Sequence, residues 1–365
     1  MYRSRVERSR SPVTLITPGR AGQTLRRNGE VGEVGNGVEA DLWLDLEQAM
    51  LTALSFSRER NQGPERRCCG MNQPDEPTVH LFQSTCHRTL RQRRPDAQPV
   101  YSRAVIGRHP YLDWPGPIPF AHRGGTSEAP ENTMPAFEHA VSLGYRYLET
   151  DVHLSADGVL MAFHDPDLNR TCGVDGTIAE MSADELADVR VDGRATIPLM
   201  SELLERFPDV RFNIDCKSDA AVGPLAALLR RHEAIDRVCL GAFSHARLSK
   251  LRTLLGAELL SCASPKEVAM LRLTGRIAGS AGRVAQVPVR FGAASGPKGV
   301  TVITERFVRS APRAGVPVHV WTIDDPVEMH RLLDSGVDGI MTDRPEVLRD
   351  VLIERGEWHE VASGS

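Results

Sequence analysis

From residue 117 onward, short apolar runs alternate with longer segments in which apolar residues recur at helical spacing. The apolar runs predict strands at 118–121, 147–151, 159–163, 211–215, 238–243, 258–261, 318–322 and 339–342. The segments between them predict helices at 134–143, 182–189, 200–206, 223–233, 246–255, 265–273, 326–335 and 345–354. Strands that alternate with helices in this way are typical of a parallel sheet.

The number of strand–helix units distinguishes the two common parallel-sheet folds. Eight units within about 238 residues (118–355) favour a closed (β/α)8 barrel of the TIM type over a doubly wound open sheet. An open sheet binds its ligand at a switch point, and no GxGxxG pattern follows the first predicted strand. We therefore expect an α/β barrel domain at 117–355. Its strand count depends most on the segment 274–316, where the pattern is weakest.

Residues 1–110 lack sustained periodicity and predict a largely unstructured N-terminal extension. Apolar residues between Leu42 and Leu54 recur every four positions, which is compatible with one isolated amphipathic helix at 38–54. The extension carries 17 Arg, no Lys and 12 Asp or Glu, a net charge of +5, so the remainder carries −9 to reach the total of −4. Charge thus marks the same boundary as the hydrophobic pattern.

The composition narrows the classes of function. A total charge of −4 gives no reason to expect nucleic acid or an anionic membrane as a partner, and no run of about 18 apolar residues predicts a membrane-spanning segment. The seven cysteines are scattered and contain no CxxC pair, which argues against a disulfide scaffold or a structural zinc site. Without a secretory apolar segment near residue 1, we expect a cytoplasmic location. No feature indicates an oligomeric state.

Charged and polar residues cluster where several predicted strands end. His122 and Arg123 follow the first strand, His164 follows the third, and Lys217 follows the fourth. In a barrel, the carboxyl ends of the parallel strands meet at one mouth, where active sites are built. We therefore expect these side chains to lie close together.

Three carboxylates belong to the same set. Glu149 and Asp151 are two positions apart on one strand, so they face the same side, and Asp215 ends the fourth strand. Adjacent carboxylates repel unless one is protonated or a cation lies between them, and an all-oxygen set suits Mg²⁺ or Ca²⁺ better than zinc. A surface ion pair is the ordinary role of any one carboxylate, but three together predict a site for a divalent cation.

Two histidines beside a cation suit phosphoryl-ester chemistry. Hydrolysis of a phosphodiester needs a base for the nucleophile and an acid for the leaving alkoxide, and His, with a pKa near ~6.5, serves as either at neutral pH. His122 and His164 are the candidates for this pair. Arg123 and Lys217 supply positive charge for the phosphoryl oxygens.

Over residues 119–352 the chain resembles the glycerophosphodiester phosphodiesterase family. The motifs that carry this resemblance are His122-Arg123-Gly124, Glu131-Asn132-Thr133, Glu149-Thr150-Asp151, Asp157-Gly158, His164-Asp165, Asn169-Arg170-Thr171, Asn213-Ile214-Asp215-Cys216-Lys217, Val320-Trp321-Thr322 and Thr342-Asp343-Arg344-Pro345. One short motif is weak evidence, whereas an ordered set across most of the domain is specific. Residues 1–110 have no part in the resemblance.

The resemblance implies a metal-dependent barrel enzyme that hydrolyses glycerophosphodiesters, which are small molecules, to sn-glycerol 3-phosphate and an alcohol. The implied site consists of the acid–base pair His122 and His164, the phosphate ligands Arg123 and Lys217, and the ligands Glu149, Asp151 and Asp215 for Mg²⁺ or Ca²⁺. Trp321 is expected to line the glycerol or headgroup side, unless it only packs in the barrel mouth. The family usually has Glu at the position of Asp215, whose shorter side chain reaches a cation differently or through a water.

Several alternatives stay open at this point. Phospholipase D-like cleavage of lysophospholipids would need an apolar channel for the acyl chain, and a non-catalytic phosphoester-binding barrel would be expected to lack one histidine. Attack by water and attack by an adjacent glycerol hydroxyl, which gives a cyclic phosphate, are both compatible with the residues. Asp165 either orients His164 or only shapes its loop.

Overall fold

The computed structural model describes residues 109–277, 279, 282–291 and 299–360. The predicted extension at 1–110, with its candidate helix at 38–54, lies outside these residues except for its last two positions. The predicted domain at 117–355 lies within them apart from the internal gaps.

The described residues form strands β1 to β13, at Ile118–Ala121, Tyr147–Leu154, Leu160–Ala162, Arg190–Val191, Ala195–Thr196, Arg211–Cys216, Val238–Gly241, Leu260–Cys262, Arg283–Pro288, Arg290–Phe291, Val300–Thr301, Val318–Trp321 and Gly339–Thr342. They also form helices α1 to α10, at Met134–Ser142, Asn169–Cys172, Ala183–Ala187, Met200–Arg206, Val222–Arg231, His245–Leu255, Pro265–Thr274, Glu305–Arg313, Pro326–Ser335 and Pro345–Glu354. Each predicted helix is present, with ends within two residues of the expected ones. In this part of the chain, no helix is long and apolar enough to span a bilayer.

Eight of the strands form a closed parallel barrel. They follow one another around it in the order β1, β2, β6, β7, β8, β9, β12 and β13, and β13 pairs again with β1. A helix follows each barrel strand along the chain and packs against the barrel, so the strands are buried and mostly apolar. The (β/α)8 barrel expected from the sequence is confirmed.

One predicted barrel strand is wrong and another is missed, so the total of eight agrees only because the two errors cancel. The run at 159–163 is expected as the third barrel strand, but β3 runs antiparallel to β2 and lies outside the closed ring. The missing strand is β9, in the weakly patterned segment 274–316, where the strand begins at Arg283 and Gln286 interrupts its apolar run. A short apolar run indicates a buried strand but not which neighbour it pairs with.

Between β2 and α4 the chain makes an excursion (residues 155–199) that returns to the barrel mouth. β3 runs back beside β2, and the Phe163 N–H donates to the Asp151 carbonyl at 3.1 Å. The excursion packs around its own apolar cluster of Met161, Phe163, Leu168, Ile178, Leu186, Val191 and Ile197. His164 therefore reaches the mouth on an antiparallel return and not, as predicted, at the end of a parallel barrel strand.

Aromatic side chains close the opposite end of the barrel. Tyr111 and Trp114, which precede β1, lie edge-on to Tyr147 at the start of β2, with ring centroids 5.2 and 5.4 Å away. The Tyr147 hydroxyl donates to the Tyr111 carbonyl at 2.6 Å, and all three side chains are buried. This end is therefore packed, and the carboxyl ends of the strands are left to form a site.

Candidate active site

Three carboxylates lie at the carboxyl ends of two adjacent barrel strands. Glu149 and Asp151 alternate along β2, and Asp151 is directly opposite Asp215 in the parallel register with β6. Glu149 is 5% exposed and Asp151 is 2% exposed, so bulk water solvates neither carboxylate. Buried carboxylates are stable only with compensating partners, and those partners define the site.

Lys217 is the first of these partners. Its Nζ is 3.0 Å from Asp151 Oδ1 and 2.8 Å from Asp215 Oδ2. Burial by itself raises the pKa of Asp151, but the surrounding positive charges, Lys217 foremost, outweigh burial and hold this pKa well below its usual range. Asp151 is therefore ionised at neutral pH, in contact with an ammonium group.

The negative charge of Glu149 is compensated less completely than that of Asp151. Its Oε2 accepts the backbone N–H of Arg123 at 3.1 Å and lies 3.7 Å from His122 Nε2. Burial, and then the charge of the neighbouring Asp151, raises the pKa of Glu149 to about 7. The two carboxylates on β2 therefore favour further positive charge beside them.

His122 comes directly after β1 and contacts a residue from near the end of the chain. Its Nδ1 lies 2.6 Å from Asp343 Oδ1, and Asp343 follows β13, which pairs with β1. Burial lowers the pKa of His122, but Glu149 and Asp343 together raise it by more. In the sequence, Asp343 stands in a family motif without a predicted role, and its position directly after a barrel strand is the signal that marks it.

His164 has an equivalent partner within its own loop. Its Nδ1 lies 2.5 Å from Asp165 Oδ1, so Asp165 contacts the imidazole directly. His153 donates from Nε2 to the His164 carbonyl at 2.9 Å and holds the backbone of this loop. Both histidines of the predicted pair thus contact a carboxylate through Nδ1, which leaves Nε2 for proton exchange.

Arg123, in the loop after β1, lies between the carboxylates of Glu131 and Asp151. Its Nη1 donates to Glu131 Oε1 at 3.0 Å, and its Nε is 3.3 Å from Asp151 Oδ2. Asn132 Nδ2 donates to the same Asp151 oxygen at 3.0 Å, while Asn132 Oδ1 accepts from the Thr150 hydroxyl at 2.8 Å. The loop after β1 therefore holds one carboxylate oxygen of Asp151 in place.

Trp321 ends β12 and forms part of an aromatic wall at the mouth. Its ring lies edge-on to that of Phe243, with centroids 6.2 Å apart, and Lys217 Nζ is 5.8 Å from the centre of the Phe243 ring. Phe243 follows β7 and is the last residue of the strand predicted at 238–243, and this position at the end of a barrel strand is the sequence signal that could have found it. The structure thus brings every predicted site residue to one mouth.

Oxygen donors for a divalent cation are present at this mouth. Asp215 Oδ1 is buried without a hydrogen-bond partner among the described residues, and the pKa of Glu149 is raised. Both observations indicate a demand for positive charge, and carboxylate oxygens are ligands that Mg²⁺ and Ca²⁺ prefer. Within the residues described, no three His, Cys, Asp or Glu side chains already converge as a metal cage. The charge balance and the donor type, rather than a preformed cage, fit a divalent cation.

Two histidines held by carboxylates and set beside fixed positive groups suit the cleavage of a phosphoryl ester. The barrel and its mouth therefore define a phosphoesterase. The sequence model of the Glycerophosphoryl diester phosphodiesterase family matches residues 122–347, and the chain belongs to this family. The family and the enzyme class expected from the sequence motifs are thus confirmed.

Relatives with known names share most of the barrel. Probable glycerophosphodiester phosphodiesterase 2 of Mycobacterium tuberculosis is 40% identical over 258 residues, which cover 68% of this chain and 95% of that protein. Human lysophospholipase D GDPD1 is 28% identical over 271 residues, covering 64% of this chain and 85% of that protein. The crystal structure of glycerophosphodiester phosphodiesterase from Agrobacterium tumefaciens superimposes with a TM-score of 0.54 at 25% identity and covers 64% and 98% of the two chains.

Proposed function

We propose that this chain hydrolyses glycerophosphodiesters to sn-glycerol 3-phosphate and an alcohol. The observation that carries the proposal is the pair His122 and His164 at one mouth, each in contact with a carboxylate through Nδ1. That contact orients the ring and leaves Nε2 to exchange a proton. The Mycobacterium tuberculosis relative at 40% identity carries the name of the same activity.

The two histidines divide the proton transfers between them. One accepts the proton of the attacking hydroxyl, and the other donates a proton to the leaving alcohol oxygen as its P–O bond breaks. The attacking hydroxyl belongs either to water or to the glycerol carbon next to the ester, and the second route gives a cyclic phosphate that water then opens. Labelling with oxygen-18 water, combined with trapping of a cyclic product, separates the two routes.

Positive charge at the mouth serves the phosphate. We assign Arg123 and Lys217 to the phosphoryl oxygens, because ion pairs with Asp151 hold both cations at the mouth. Glu149, Asp151 and Asp215 are the proposed ligands of a divalent cation, either Mg²⁺ or Ca²⁺. When bound, such a cation supplies positive charge to the non-bridging oxygens of the phosphate.

Cleavage of lysophospholipids is the second candidate function. The human relative carries the name lysophospholipase D, and the wall of Phe243 and Trp321 offers apolar surface at the mouth. The presence of both histidines disfavours the third candidate, a non-catalytic phosphoester-binding barrel. Rates on glycerophosphocholine and lysophosphatidylcholine separate the first two functions, and faster turnover of the lysophospholipid would favour the second.

The decisive experiment measures release of glycerol 3-phosphate from glycerophosphocholine and glycerophosphoethanolamine. Metal-depleted protein is assayed before and after addition of Mg²⁺ or Ca²⁺, and we expect turnover only with metal. His164→Ala should lose most turnover at an unchanged circular dichroism spectrum, whereas His330→Ala, at a surface histidine paired with Glu354, should keep it. Absence of turnover on every glycerophosphodiester, or turnover insensitive to chelation, would contradict the proposal.

We also propose the bounds of the catalytic domain and the location of the protein in the cell. A small water-soluble substrate needs neither nucleic acid nor a membrane segment, and the cytoplasmic location stays a prediction that cell fractionation tests. The barrel domain is proposed at 117–355, with Tyr111 and Trp358 packed against its edge. A chain that begins at residue 109 and retains activity would support treating the preceding residues as dispensable.

A further inference from the structure

We propose that Arg170 is a positioning residue that ties His164 to Arg123 across the mouth of the barrel. Its guanidinium contacts two carboxylates at once: Nε lies 2.5 Å from Asp165 Oδ2, and Nη1 and Nη2 lie 3.1 and 2.6 Å from the two oxygens of Glu131. The inference rests on the proposed function, in which His164 transfers a proton and Arg123 binds phosphate.

One side of this connection leads to the histidine. Asp165 contacts His164 Nδ1 through Oδ1 and Arg170 through Oδ2, so both oxygens of the carboxylate are engaged. A carboxylate held at both oxygens has little freedom to rotate, and the imidazole that it contacts is oriented with it. Arg170 thereby acts on His164 without touching it.

The other side leads to the phosphate-binding arginine. Glu131 Oε1 accepts from Arg170 Nη2 at 2.6 Å and from Arg123 Nη1 at 3.0 Å, so one oxygen lies between two guanidinium groups. Arg123 in turn lies 3.3 Å from Asp151 through Nε. A continuous series of contacts therefore joins His164 to the carboxylates of β2.

The fold explains why such a connection matters. His164 follows β3, which lies outside the ring, so β2 holds its backbone but no barrel pairing sets the orientation of its imidazole relative to Arg123. Arg170 ties α2 of the excursion to the loop after β1. A small displacement between two reacting groups lowers the rate of a reaction by up to ~100-fold.

The geometry also explains why the residue is an arginine. A planar guanidinium presents several N–H groups in a fixed fork and can bond two carboxylates at once, whereas an ammonium group is a point charge on a flexible stem. The Arg170 side chain is 49% exposed, while Asp165 and Glu131 are 15% and 16% exposed. The carboxylates are thus sheltered, and the guanidinium can be reached from solvent.

The proposal is tested by removing the Arg170 side chain and adding free guanidinium in its place. We expect Arg170→Ala to lower kcat about 10- to 100-fold and to raise KM for glycerophosphocholine, since both the histidine and the phosphate ligand lose their positions. Guanidinium or ethylguanidinium at non-denaturing concentration should restore part of kcat. Arg170→Lys should behave like the alanine variant.

Arg206→Ala is the matched control. Arg206 is 60% exposed and bonds Glu138 through Nε and Nη2 on the outer helices. The kcat, the KM and the response to guanidinium of Arg206→Ala should equal those of the wild type. Unchanged kcat and KM in Arg170→Ala would overturn the proposal, as would a loss of rate that guanidinium does not restore.

A measurement without turnover separates this inference from the proposed function. We expect the imidazole N–H proton between His164 and Asp165 to give a proton NMR resonance, which is assigned by its absence in His164→Ala. In Arg170→Ala this proton should shift and exchange faster with water, and in Arg206→Ala it should not. An unchanged resonance would refute the positioning role, whereas a wild type without turnover would refute only the proposed function.

Discussion

Asp151 and Asp215 face each other across the pairing of β2 with β6, and one ammonium group, Lys217 Nζ, contacts an oxygen of each at 3.0 and 2.8 Å. The side chain of Lys217 is 9% exposed. In such surroundings a charge without its partner is far less stable than at the surface. The site thus has a structural requirement for positive charge that is separate from its chemistry.

Lys217→Met should therefore destabilise the protein. We expect the free energy of unfolding to fall by about 3 kcal/mol, because the variant leaves a buried carboxylate without its nearest cation. Urea unfolding followed by circular dichroism measures the change. Lys250→Met, at an exposed lysine 3.9 Å from Asp219, should stay within about 0.5 kcal/mol of wild type. Equal stability of the two variants would show that Lys217 does not compensate the aspartates.

Asp343→Asn tests the partner of His122. An amide keeps the size of the side chain but changes the proton arrangement at Nδ1, so we expect kcat to fall by about 100-fold or more while KM changes little. Steady-state rates on glycerophosphocholine at saturating metal provide the measurement. Asp350→Asn, at an exposed position of the last helix, is the control and should match wild type. A kcat within twofold of wild type in Asp343→Asn would count against the assignment.

Metal removal should be visible in stability as well as in rate. A cation that binds the native state raises the free energy of unfolding, by about 2.7 kcal/mol at 100 times its Kd. We expect Mg²⁺ or Ca²⁺ to raise the Tm of metal-depleted wild type and to raise that of Asp215→Asn much less, because the orphaned Oδ1 is a proposed ligand. Asp215→Glu should keep the response. Calorimetry that finds the same metal-induced shift in wild type and Asp215→Asn would remove Asp215 from the ligand set.

The ion pair of Arg252 and Glu267, away from the site, predicts part of the loss of folding stability at low pH. Arg252 bonds both oxygens of Glu267 at 3.0 Å. Burial raises the pKa of Glu267, but the hydrogen bonds from Arg252 and from the Ser264 N–H lower it by more. Because the folded pKa lies below the unfolded one, this stabilisation is complete above the unfolded pKa of about 4.5 and is lost as the pH falls through the folded pKa.

Glu267→Gln removes that titration. Between pH 6 and pH 3, the free energy of unfolding of wild type should fall more steeply than that of the variant, by up to one proton per molecule in slope. Urea unfolding at several pH values measures both curves. Parallel curves below pH ~4.5 would show that the pair does not stabilise the folded state through its charge.

The local pattern of apolar and polar residues was sufficient to predict much of the fold and of the candidate site. Apolar runs and helical spacing located all but one of the barrel strands and the helices that follow them, because burial on both faces leaves a direct record in the sequence. Strand parity placed Glu149 and Asp151 on one side of β2, because side chains alternate between the two faces along a strand. The ordered motifs identified the family, since they list the side chains that its chemistry needs.

Tertiary structure alone decided how distant segments meet. β3 has three residues and β9 has six, and only closure of the ring makes the first an outer antiparallel strand and the second a barrel member. The contact of His122 with Asp343 spans 221 positions, and it exists because the first and last strands pair. Arg170 reaches Glu131 because the excursion folds back over the mouth. Sequence determines which groups are available, whereas pairing between strands far apart along the chain determines which of them touch.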